Sequence, residues 1–141
     1  MRDLPRKLSV EELAELFEGR TRFVERLAAL EEPLGHARSV AATLTDEEKK
    51  EVLDAHPAIG AKTVSARSAA EQGTDEAPEL DDLNRRYEER FGFRFVVFVN
   101  RRPRSEIVPI LRERLERTRE QELATALDEL VAIAEDRWCS R

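Results

Sequence analysis

The chain has 141 residues, 38% of them charged and 40% hydrophobic, with a formal net charge of −6 and a pI near 5.2. That length fits one domain with a buried core and is short for two; the negative balance removes any global attraction to nucleic-acid phosphates. A single cysteine, Cys139, rules out an internal disulfide framework, and no apolar run approaches the roughly 20 residues that cross a bilayer. The expectation is one folded, soluble domain over residues 1–141, in the cytoplasm, with neither nucleic acid nor membrane as partner; Met1-Arg2-Asp3-Leu4-Pro5 lacks the apolar core of a signal peptide.

Ser9 and Glu12 stand at capping-box spacing, and Leu13, Leu16 and Phe17 follow at helical period. This predicts a first helix to about Glu18. Thr21 caps a second, with Phe23, Leu27 and Leu30 as its apolar stripe and Pro33 as its stop. Residues 35–44 form a third. Thr45 and Glu48 repeat the capping box, and the helix they open runs through Val52 and Leu53 until the residue before Pro57, His56, is pushed out of the α region. Residues 65–72 are alanine-rich and end at Gly73, followed by an acidic loop over 74–78. Leu80, Leu83, Tyr87 and Phe91 continue at helical spacing until Gly92.

Residues 93–99 have the β-branched and aromatic content of a strand. No other segment is a convincing partner, and an isolated strand leaves its backbone groups unpaired. The segment is therefore read as a buried, partly irregular connection or helix in the core. Ser105 caps a helix through Arg117, with Pro109 tolerated near its first turn, and a last helix runs from Glu120 to Trp138. These elements make an all-α bundle of about seven or eight helices.

One of only two histidines, His56, lies in His56-Pro57-Ala58-Ile59-Gly60, a titratable ring at a forced helix break. Ser68, Glu71 and Gln72 stand at i, i+3 and i+4 and would share one helix face that can read a polar ligand. Each residue also has an ordinary reading: a histidine before proline caps the last carbonyls of a helix, and a glutamate among alanines is a solvated face. His36 has no companions and reads as surface or core, Arg101, Arg102 and Arg104 as a solvated turn, and Cys139 as a bystander. Two histidines without a cysteine cluster or an HExxH pattern offer no recognisable metal spacing.

His-Pro-x-Ile-Gly at 56–60, Ser-x-x-Glu-Gln at 68–72, Asn84-x-x-Tyr87, and Arg90-Phe91-Gly92-Phe93 running into an apolar stretch together resemble the OHCU decarboxylase family, over nearly the whole chain. The resemblance implies an all-α fold and decarboxylation of 2-oxo-4-hydroxy-4-carboxy-5-ureidoimidazoline to S-allantoin in urate breakdown. It also implies no metal or organic cofactor, and a homodimer. Carried onto this chain, it makes His56 the catalytic proton donor. Pro57, Ser68, Glu71, Gln72 and the main chain of Phe95, Val96, Val97, Phe98 and Val99 become substrate-binding groups. Arg94 stands where many members carry proline, and Asn100-Arg101-Arg102-Pro103 where they carry a small residue.

Loss of carbon dioxide leaves an electron pair beside an imine or carbonyl, so a protein must orient the carboxylate, stabilise the developing charge and protonate one face. Imidazole titrates near enough to neutrality for the last task, while Glu71 can accept hydrogen bonds from a ureido N–H or a ring hydroxyl and assist as a second catalytic group. Arg67, Arg94, Arg101 or a helix N-terminus could hold the anionic substrate's carboxylate. The alternatives are a helical interaction module that keeps the fold without the chemistry, and a relative acting on a different ureido or carboxylated ring.

Overall fold

The computed structural model describes residues 7–56 and 79–140. Among them are seven helices and no strand: α1 (Val10–Leu16), α2 (Arg22–Ala28), α3 (Pro33–Ala42), α4 (Asp46–Asp54), α5 (Glu79–Phe91), α6 (Arg104–Arg114) and α7 (Arg119–Cys139). The helix expected over residues 65–72 lies outside the described residues.

The starts of the helices follow from local chemistry. Ser9 with Glu12 and Thr45 with Glu48 form reciprocal capping boxes, each side chain satisfying the other's orphan backbone N–H. Thr21 caps α2 through the Val24 N–H. A third box, Thr118 with Gln121, opens α7 one residue before the predicted start.

Two boundaries differ from expectation. Pro33 does not stop α2, which ends at Ala28; it is the first residue of α3. The missing N–H of proline costs nothing in a first turn, where no carbonyl awaits it, so the residue that reads as a stop is equally a start. Ser105 is not the cap of α6: the extended Pro103 is, and the helix begins at Arg104 and ends at Arg114 instead of Arg117. Pro109 sits inside this helix on its exposed face.

The long α7 is the axis. α3, α1 and α4 pack on it, α2 packs on α1, α3 and α4, and α5 packs on α6. Leu13, Leu16, Phe17, Phe23, Val24, Leu27, Leu130, Val131 and Ala134 close one continuous core that also takes in the residues of the 93–99 segment. Phe17 meets Phe23 edge-on at 5.2 Å between centroids. At the other end, Tyr87 touches Phe91, Phe93 and Phe95 at 4.6, 5.8 and 5.2 Å.

α5 stops at Gly92, whose φ of +81° is the left-handed conformation that glycine adopts without strain. The chain then runs without regular secondary structure through residues 94–99, with Phe95, Val96, Val97 and Val99 buried. A lone irregular segment in a core leaves carbonyls and amides without backbone partners, and here side chains supply them. The Val96 carbonyl accepts from Arg114 Nη1 at 2.9 Å, the Phe98 carbonyl from Arg102 Nη2 at 2.7 Å, and the Val99 carbonyl from Arg102 Nε at 3.0 Å. The Arg94 N–H donates to Asp54 Oδ1 at 2.9 Å. Arg102 thus spends its guanidinium on its own turn, in which Asn100 and Arg101 have φ of +50° and +60°.

Arg114 is anchored in turn by Glu122, a fully buried carboxylate. Glu122 accepts from Arg114 Nε at 2.7 Å, from Tyr87 Oη at 2.6 Å and from Arg117 Nη1 at 3.0 Å. Arg114 also lies 4.6 Å from the Phe95 ring centroid. Burial and the carboxylate partner push the Tyr87 phenol well above its ordinary pKa, so it stays a donor.

Candidate functional site

His56 follows α4 by two residues, and its N–H makes a turn bond to the Leu53 carbonyl at 3.2 Å. Three other parts of the chain close on it. The α1–α2 turn arrives through Gly19, where a Cβ would come within 3.3 Å of Ala55 Cβ. The 93–99 segment supplies Arg94, whose Nη1 donates to the His56 carbonyl at 2.6 Å and to the Asp54 carbonyl at 3.2 Å. α7 supplies Arg137, which is 2% exposed and donates to the Leu16 carbonyl at 3.0 Å.

Arg137 also pairs with Glu18 at 2.9 Å between Nη2 and Oε1. Glu18 owes its inward position to the backbone. α1 ends in a turn where the Gly19 N–H reaches back to the Ala14 carbonyl at 3.0 Å, and Glu18 occupies the left-handed position of that turn with φ +64°. Glycine is usual there, and a side chain costs on the order of 1–2 kcal/mol. The ion pair with a buried arginine offsets that strain and turns the carboxylate toward the site.

The imidazole is 5% exposed, and its Nε2 has no hydrogen-bond partner among the described residues. Burial is the main reason that its pKa falls to about 3; the charges of Arg137 and Arg94 add to the fall and Glu18 opposes it. At neutral pH the ring is therefore neutral. An unfolded histidine titrates at about 6.5, so between that value and about 3 the unfolded chain binds a proton that the folded chain refuses. Stability should be fully present above the upper limit and fall as pH drops through the window, by at most roughly 1.4 kcal/mol per unit. Chemical denaturation at a series of pH values should give a shallower decline for His56→Gln than for the wild type; parallel curves would mean that His56 titrates normally.

Of the other expected site residues, Pro57, Ser68, Glu71 and Gln72, and also Arg67, lie outside the described residues. The main chain of residues 95–99 has no regular secondary structure, and its Val96, Phe98 and Val99 carbonyls accept from Arg114 and Arg102. His36 is exposed, and Cys139 is half-buried. Arg101 is exposed on a turn, and Arg102 is committed to the Phe98 and Val99 carbonyls. Arg137 and Glu18 were not singled out by sequence reasoning; the charged pair at 18 and 137 has no short-range pattern by which to find it. Among the described residues no three His, Cys, Asp or Glu side chains gather as a metal cluster, and no helix is long and apolar enough to cross a membrane. A separate cleft of about 390 Å³ between α3, α4 and α7, lined by Arg38, Lys49, Arg119, Leu123 and others, contains none of the expected site residues.

Comparison with known proteins identifies the family. A sequence model of the OHCU decarboxylase family matches residues 2–138. The 2-oxo-4-hydroxy-4-carboxy-5-ureidoimidazoline decarboxylase of Haloferax volcanii is 36% identical over 104 residues, 67% of this chain and 62% of that protein. The mouse protein of the same name is 34% identical over 96 residues, 59% of this chain and 54% of that one. The matched region thus spans less than two thirds of either relative. A crystal structure of an OHCU decarboxylase in the presence of (S)-allantoin superimposes with a TM-score of 0.71 and 26% identity, covering 89% of this chain and 94% of that one. By the family match over nearly its whole length, and by a fold shared with that structure, this chain belongs to the OHCU decarboxylase family.

Proposed function

We propose that this protein decarboxylates 2-oxo-4-hydroxy-4-carboxy-5-ureidoimidazoline to (S)-allantoin in urate catabolism, with His56 as the proton donor and without a metal or organic cofactor. The observation that carries the reading is the buried His56 Nε2, unpartnered among the described residues and flanked by the cations Arg137 and Arg94. Family membership and relatives named for this reaction support it.

The charges suggest how a ring that is neutral in the free protein becomes a donor. Arg137 and Arg94 resist a proton on His56 because each is positive. A substrate carboxylate placed beside them screens that repulsion and adds an attraction of its own, which raises the imidazole pKa and brings in a proton together with the anion. When the bond to the carboxylate breaks, carbon dioxide leaves and the electron pair is conjugated into the imine. His56 then delivers its proton to one face of the ring carbon, fixing the hand of the product. Pro57, Ser68, Glu71, Gln72 and the main chain of residues 95–99 hold the ureido and ring groups, with Glu71 assisting the proton transfer. This is orientation more than charge stabilisation.

The protein is further proposed to be a single cytoplasmic domain over residues 1–141, acting as a homodimer. The substrate is unstable, so the test generates it freshly from urate with the upstream enzymes, adds this protein, and follows circular dichroism. Rapid one-handed allantoin formation is the expected result. A racemic product at the spontaneous rate would move the assignment to another ureido or carboxylated ring.

A further inference from the structure

We propose that Arg94 is a positioning residue that locks the turn bearing His56 onto the irregular 93–99 segment, so that the proton donor and the substrate-binding main chain move as one unit. This rests on the function proposed above for those two parts, and the geometry behind it is specific. The Arg94 backbone N–H donates to Asp54 Oδ1 at 2.9 Å while its Nη1 donates to the Asp54 carbonyl at 3.2 Å and to the His56 carbonyl at 2.6 Å. Its Nε stands 3.6 Å from Glu88 on α5. Asp54 is itself steadied by an ion pair with Lys50, one turn earlier on α4.

These contacts answer a need created by the sequence. The C-terminus of α4 leaves carbonyls without helical partners, where a cation is favoured. The next residue after His56 is proline, which has no N–H to give. The backbone ties of His56 among the described residues are therefore its own N–H to the Leu53 carbonyl and its carbonyl to Arg94. Removing the guanidinium frees the His56 and Asp54 carbonyls and keeps, of these ties, the Arg94 N–H bond to Asp54. Position is the quantity at stake, because a displacement of about 1 Å in a reacting group can cost about a hundredfold in rate.

Arg94 also contributes charge. The charged groups that face His56 among the described residues are Arg137 from α7, Glu18 from the α1–α2 turn and Arg94 from the irregular segment, with Asp54 at the end of α4 one step removed. Arg94 is the more exposed of the two cations, its side chain 31% exposed against 2% for Arg137. It can thus be replaced without opening the core.

The test compares wild type, Arg94→Gln and Arg94→Lys. The His56 imidazole C–H resonance is followed by NMR over the pH range in which far-UV circular dichroism stays native, and kcat and KM are measured with freshly generated substrate. In Arg94→Gln the onset of His56 protonation should move to higher pH, and kcat should fall roughly 10- to 100-fold with KM within about threefold of the wild type. Arg94→Lys keeps the charge but has a shorter, unbranched side chain without the planar group that fixes Nη1 between the two carbonyls and places Nε beside Glu88, so its titration should match the wild type while kcat still falls. Titration and kcat unchanged in both variants, with only a lower Tm, would reduce Arg94 to a structural strut and overturn the proposal. A raised KM at unchanged kcat would also overturn it, by making Arg94 a substrate contact. If the wild type turns over no substrate, the functional reading fails by itself, and the NMR comparison alone decides whether Arg94 governs His56.

Discussion

His56→Ala should lower the rate of one-handed allantoin formation by roughly 10²- to 10⁴-fold, the range lost with a general acid, and leave a slow racemic background. The size of the effect follows from burial. Bulk water cannot readily stand in for the proton donor at a ring that is 5% exposed, whereas at an open site it would rescue much of the rate. The variant should stay folded, since it also removes a buried nitrogen with no partner among the described residues and the cost of keeping that ring neutral in acid. Far-UV circular dichroism and the denaturation midpoint provide the control. A folded His56→Ala protein that retains rate and handedness would refute the proton-donor role, and retained binding of a partner protein would then favour an interaction module.

Glu122→Ala should destabilise the fold by about 3–5 kcal/mol, because it strands Arg114 as an uncompensated buried charge. Glu122 lies at the centre of three side-chain bonds, from Tyr87, Arg114 and Arg117, and is fully buried. Its removal reaches past the ion pair: Arg114 also holds the Val96 carbonyl, so the irregular segment loses its anchor as well. Glu122→Gln keeps an acceptor of the same shape and should cost less. Urea denaturation monitored by the fluorescence of Trp138 would measure both. A loss below about 1 kcal/mol for the alanine variant would mean that the network is a surface-like ion pair.

Much of the fold was legible because its signals are short-range. The capping boxes at Ser9 and Thr45, the cap at Thr21 and the glycine stop at 92 each need only three or four neighbouring residues to operate, and each appears where the spacing put it. The errors came where one residue carries two meanings. Pro33 is as good a first residue as a stop, and Ser105 lies one position inside a helix capped by Pro103. For residues 93–99 local propensity favoured a strand, and only the lack of a partner argued against it. The irregular, unpaired conformation is held because Asp54, Arg102 and Arg114 bond to backbone groups that a ladder would have satisfied.

What the sequence determined by itself is the all-α class, the order of the helices, and the placing of His56 at a forced break, since these depend on contacts within a few residues along the chain. Only the tertiary structure decided what surrounds that histidine. Glu18, Arg94 and Arg137 are far apart in sequence and meet through the packing of a strained turn, an irregular unpaired segment and the last helix. The charge and solvation that set the state of His56 are properties of that meeting, because electrostatic forces act through space and burial depends on every element at once.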